Sequence, residues 1–135
     1  MQRLKIRRQF QAVLAGTIVA KTTHFALHRT ELHVKNNLEA FCSLNVSVLF
    51  SVHEMWMGAM VPKRWAKSAV TRNTIKRQIY TISADFEQHY RPAAFVVRLR
   101  RAFVRTEFIS ARSEQLKLAV RAELQALMLA GAKVP

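Results

Sequence analysis

The stretch from Ser68 to about Gln88 constrains this chain most, because Ile75, Ile79, Ile82 and Phe86 recur there at i, i+4, i+7 and i+11. At 100° per residue they form one apolar stripe about 60° wide, so the stretch reads as a helix with a single buried seam. Ser68 supplies a hydroxyl to cap its first turn. Ala69, Arg72, Asn73, Lys76, Arg77 and Tyr80 fan across the rest of the wheel. A helix with one apolar and one cationic face must lay the first on a second layer of structure.

The other elements follow from their own periods. Phe10, Val13 and Leu14 sit at helical spacing in residues 8 to 15, and Gly16 supplies a stop. His24 to Val34 reads as a strand, with Phe25, Leu27, Leu32 and Val34 separated by polar or charged residues. Asn36-Asn37 is a turn signal. Phe41 to Val52 fits a second strand, and Met55 to Val61 a third that Pro62 ends by lacking a ladder donor. Pro92 breaks the chain before a short buried strand, Ala94 to Leu99. A last helix from about Ser113 carries Leu116, Val120, Leu124 and Leu127 on one face, with Gly131 at its end. The expected fold is α+β: a small two-layer sandwich of three helices and a mixed sheet of about four strands, in the order α-β-β-β-α-β-α. Half of the residues are hydrophobic, and the chain shows no repeat, low-complexity tract or Pro/Gly-rich linker, so one domain is expected over residues 1–135.

Charge then narrows the function. Twenty-two Lys and Arg face eight Asp and Glu, a formal net charge of +14. Such self-repulsion is relieved by a polyanion, either nucleic acid or an anionic membrane. Between Glu54 and Asp85 there is no acidic residue, while Lys63, Arg64, Lys67, Arg72, Lys76 and Arg77 supply six cations. The helix therefore lacks acidic partners at salt-bridge spacing, and Arg72 and Lys76, four apart, repel each other mildly. A phosphate backbone reverses that cost and releases counterions as it is neutralised. Arg can also grip phosphate bidentately or stack on a base.

Several classes drop out. No stretch approaches the roughly 20 apolar residues of a membrane span. Arg3, Lys5, Arg7 and Arg8 before the apolar Ala12 to Ala20 mimic an export signal, but Gly16 and Thr17 break the run and Lys21 closes it without a small-residue cleavage site. The lone Cys42 cannot form an internal disulfide, which suits the cytoplasm. A stand-alone nuclease needs paired carboxylates or a convergent His and acid set, and neither pattern is present, so no catalytic or metal-ligating residue is expected. His24 and His28, with His33 nearby, have no Cys or acid at ligand spacing. Trp56 and Trp65 flank the Lys63-Arg64 pair and either pack under the loop or offer a face for cation–π contact or base stacking.

The run from Val61-Pro62-Lys63-Arg64 through Arg72-Asn73-Thr74-Ile75-Lys76-Arg77-Gln78 resembles the signature of the bacterial ribonuclease P protein family: a Lys/Arg pair after a strand, then Arg-Asn-x-x-Lys-Arg at the start of a long helix. Phe10-x-x-Val13-x-x-Gly16 and Phe25-Ala26-Leu27 resemble the family's first helix and strand. Phe95 to Leu99, followed by Arg100-Arg101, resembles its last strand and basic turn. The match runs in order over roughly residues 8 to 127 and is poorest from Glu31 to Met57. Thr74 stands where the family often has a second Arg, and Tyr80 where a basic residue is common, so Tyr80 either stacks or simply packs.

The resemblance implies a ribonucleoprotein subunit that binds, as a single copy, a catalytic RNA and the 5′ leader of precursor tRNA. The RNA, with its bound Mg2+, would perform the endonucleolytic hydrolysis that matures the tRNA 5′ end. By matching position Arg72, Asn73, Lys76 and Arg77 would meet the catalytic RNA, with Lys63, Arg64, Lys67, Arg100 and Arg101 extending the RNA surface. Phe10, Val13, Phe25 and His28 would line a cleft for the single-stranded leader, where aromatic faces stack bases with little sequence demand. The alternative for Phe10, Val13 and Phe25 is ordinary core, and for Val13 the two readings are even. A ribosomal or other structural RNA-binding protein would share the charge and the small fold without a part in cleavage.

Overall fold

The computed structural model describes residues 1–32, 50, 54–103 and 114–133. The elements are β1 (Gln2–Arg3), α1 (Arg7–Leu14), β2 (Thr17–Lys21), β3 (Phe25–Thr30), β4 (Trp56–Met60), α2 (Ala69–Asp85), a 3₁₀ turn (Glu87–His89), β5 (Ala94–Leu99) and α3 (Glu114–Ala132). The five strands form one mixed sheet in the order β1-β4-β5-β3-β2. β1 and β5 run parallel to β4, whereas β3 is antiparallel to both β5 and β2.

This is the expected α+β fold, with five strands instead of about four. β1 is two residues long, too short to show a period, and β2 lies inside the apolar run that reads on from α1. The order among the described residues is thus β-α-β-β-β-α-β-α. The strand expected at 41–52 lies, apart from Phe50, outside the described residues. β3 is shorter than its expected span, closing at Thr30, and α3 runs past Gly131 to Ala132. Gly131 is in the helix because of a close approach and does not end it: a Cβ there would lie 2.6 Å from both Leu27 Cδ2 and the Tyr90 hydroxyl.

α2 and α3 cover one face of the sheet, and α1 sits on the other. Alternation along the strands feeds the two faces. Phe25, Leu27, Met57, Ala59, Phe95, Val97 and Leu99 join Ile75, Ile79 and Ile82 of α2 and Leu116, Val120, Leu124 and Leu127 of α3 in the main core. The expected stripes of both helices are buried, and each fully buried aliphatic side chain contributes about 1.5–3 kcal/mol. On the opposite face Leu4, Val13, Trp56, Ala94 and Val96 form a second cluster with Phe10 and Met60 packed against it. α1 begins after Ile6, whose side chain cannot cap. Gln9 supplies the cap instead, its Oε1 accepting from the backbone N–H of Lys5 (2.7 Å) and Ile6 (3.2 Å).

Candidate nucleic-acid interface

The cationic segment begins where β4 stops. Beyond Pro62 the chain turns tightly, the backbone N–H groups of Trp65 and Ala66 both donating to the Pro62 carbonyl at 3.1 Å. Lys63, Arg64 and Lys67 are exposed on this turn. Arg72, half-buried, reaches back from α2 to hold it, with Nη1 donating to the carbonyls of Ala66 (2.9 Å) and Lys67 (2.8 Å). Ser68 caps α2 as its position predicts, Oγ accepting from Val70 N–H at 3.2 Å.

The helical twist divides the motif between two sides of α2. Asn73 and Arg77, one turn apart, line a groove of about 520 Å³ with Val70, Thr74, Gln78 and Lys117 of α3. Lys76 lies on the other side. With Arg7 and Phe10 of α1 and residues Ala59 to Pro62, it lines a second hollow of about 510 Å³. Of the four residues read as one surface, three thus line two separate concavities, and Arg72 lines neither.

The cleft residues sort by sheet face. Phe10 is half-buried over Gly58, where a Cβ would come within 2.6 Å of its ring, so glycine is what lets α1 approach β4 this closely. Val13, on the sheet-facing side of α1, is fully buried. His28 is on the same face and 5% exposed, with Nε2 accepting from Arg98 Nε at 3.3 Å. Its Nδ1 is buried without a partner among the described residues. Burial, then the nearby charges of Arg98 and Lys21, lowers its pKa below the ordinary histidine value. Phe25 is a correction. It is fully buried on the α2–α3 face, 5.9 Å from the Phe103 ring, and cannot line a cleft beneath α1.

Of the basic pair after β5, Arg101 is exposed. Arg100 braces the β2–β3 turn: its N–H donates to His24 O (2.7 Å) and Nη1 to Thr22 O (2.9 Å). His24 pairs with Glu123 of α3 at 2.7 Å, so it does not share a site with His28. Among the described residues no three His, Cys, Asp or Glu side chains gather as a cation site, and no helix is long and apolar enough to cross a membrane.

The model of the Ribonuclease P family matches residues 1–123. The chain belongs to that family. Its fold is similar to that of the RNase P protein of Staphylococcus aureus, at 22% identity over 99% of this chain and 97% of that one, with a TM-score of 0.64. It is also similar to the RNase P protein of Thermotoga maritima, at 19% identity over 95% and 96% of the two chains, with a TM-score of 0.62. Among curated protein sequences nothing matches.

Both departures from the family signature have structural uses in this ribonuclease P family member. Thr74 Oγ1 donates to Val70 O at 2.9 Å, and the Tyr80 hydroxyl accepts from Ala59 N–H of β4 at 3.2 Å while Arg3 lies 4.2 Å above its ring. Tyr80 therefore packs. Arg7, Arg98 and Lys117 join the two concavities and the cleft floor without having been expected there from the sequence. For Arg98 a signal existed, since alternation along β5 places it opposite Val97 and Leu99. Lys117 and Arg7 are brought in by packing between elements distant in the chain.

Proposed function

We propose that this chain is the protein subunit of ribonuclease P, holding the catalytic RNA on the cationic side of α2 and the 5′ leader of precursor tRNA beside α1. One observation carries the reading: a turn and helix with no acidic residue before Asp85, the helix's last position, adjoin a hollow that has an apolar bed and a cationic rim. Arg77, Asn73 and Lys117 suit folded RNA, because their groove offers charge and an amide that both donates and accepts. The hollow at Phe10, Met60 and Pro62, rimmed by Arg7 and Lys76, suits a single strand, whose bases stack while its phosphates meet the cations. The protein's own contribution is to neutralise phosphates and so reduce repulsion between two RNAs. Cleavage is assigned to the RNA and Mg2+ to sites held mainly by that RNA. One copy of the chain per ribonucleoprotein, in the cytoplasm, completes the reading, with residues 1–135 acting as one domain.

The test is cleavage of precursor tRNA at low magnesium by a bacterial ribonuclease P RNA, with protein-only and RNA-only controls. Cleavage only in the mixture is the expected result. Binding without stimulation, even of the cognate RNA, would instead make the chain a structural RNA-binding protein.

A further inference from the structure

A third concavity lies where β4 and β5, which run parallel, both end. It measures about 430 Å³ and is lined by Arg64, Trp65, Ala66, Lys67, Ser68 and Thr71 on one side and Ala102 and Phe103 on the other. We propose that it holds one unpaired nucleotide of the bound RNA, the base against Trp65 and Phe103 and the phosphate at Arg64 and Lys67. This rests on the RNA-binding reading above and adds to it a contact to one unpaired base at the ends of β4 and β5, apart from both concavities of α2.

Three observations select that occupant. The walls are mainly apolar and aromatic, whereas the rim carries two exposed cations and no acidic residue lines it, so the ligand needs a flat π face and a negative charge together. The volume lies within the range of about 300–1,000 Å³ that small ligands occupy, enough for one nucleotide and too little for a duplex. Both walls are already in place. Arg72 ties the Ala66 and Lys67 carbonyls to α2, and Phe103 is stacked on His24 at 4.0 Å and 10°. A pocket ordered before binding loses less freedom when it is filled. The Trp65 Nε1–H has no acceptor among the described residues, so packing orients that ring, and the Arg64 guanidinium lies 5.0 Å from its centroid, at the side where the phosphate would sit.

The chain has two tryptophans, and Trp56 belongs to the cluster beneath α1. In a Trp56→Phe variant the indole signal therefore reports on Trp65, and a stacked base quenches it. Titration with adenosine 5′-monophosphate should quench saturably, with ribose 5-phosphate at least tenfold weaker. Phe103→Ala should weaken the nucleotide about tenfold, the effect of one lost stack. If Trp56→Phe does not fold, the unaltered chain serves, with Trp56 as a constant background. Equal affinity for nucleotide and ribose phosphate, or no saturable quenching, overturns the pocket. Stimulation of the catalytic RNA is scored separately: a chain that stimulates cleavage but ignores the nucleotide keeps its RNA partner and loses the pocket.

Discussion

A guanidinium that already donates to two carbonyl oxygens has fewer N–H groups left for a phosphate. Arg72 is in that position, while Arg77, five residues on, is exposed. Arg72→Ala should lower stability by about 1–2 kcal/mol through the loosened turn and weaken RNA binding indirectly. Arg77→Ala should leave the melting temperature nearly unchanged and flatten the dependence of log affinity on log salt by about one unit. Thermal melts beside salt titrations separate the two, and equal effects of both variants on both readouts would refute the division. His28 makes a second prediction at this scale. Its folded pKa lies below its unfolded value of about 6.5, so the unfolded chain binds the extra proton first. The stability held above pH 6.5 should therefore fall as the solution is acidified below it. His28→Gln should show a shallower fall in melting temperature between pH 7 and pH 5. Parallel curves would mean that the depressed pKa is not expressed in the folded protein.

α2 presents Arg77 and Lys76 to two different concavities because a period of 3.6 residues puts them about 100° apart. Lys76→Ala should weaken a short single-stranded RNA severalfold more than it weakens the catalytic RNA, and Arg77→Ala should do the reverse. Filter binding with each RNA checks this, and identical losses for the two variants would restore a single surface. The same helix shows how far the sequence could be read. Its stripe was plain because Ile75, Ile79 and Ile82 recur at i, i+4 and i+7 within a helix of 17 residues, and the cations had no acidic neighbour to explain them. The division between two concavities was not, since it depends on where α1 and α3 dock. Phe25 failed for a related reason: a period of two says that Phe25 and His28 face opposite ways, but not which face α1 covers. β1 and β2, at two and five residues, were too short or too continuous with α1 to separate.

At the scale of the molecule, an excess of fourteen positive charges is spread over a fold whose buried layers can be reached only by bringing those charges together. Any salt screens part of that repulsion, with a Debye length of about 10 Å at 0.1 M. A multivalent anion seated in a groove of α2 adds something that screening does not, because it binds the folded chain and not the unfolded one. By linkage, an anion at a hundred times its dissociation constant stabilises by about 2.7 kcal/mol, or roughly 10 °C for a chain of this length. Pyrophosphate at low millimolar concentration should therefore raise the melting temperature well above that in sodium chloride of matched ionic strength. Exclusion from the protein surface, the general route by which such anions stabilise proteins, needs far higher concentrations and does not depend on single residues. The excess should accordingly shrink in a Lys76→Ala, Arg77→Ala double variant, in which each concavity of α2 has lost a cation. If pyrophosphate and chloride act alike at matched ionic strength, the charge is diffuse and the grooves are not anion sites. If pyrophosphate stabilises but the double variant keeps the full effect, the anion binds elsewhere on the surface.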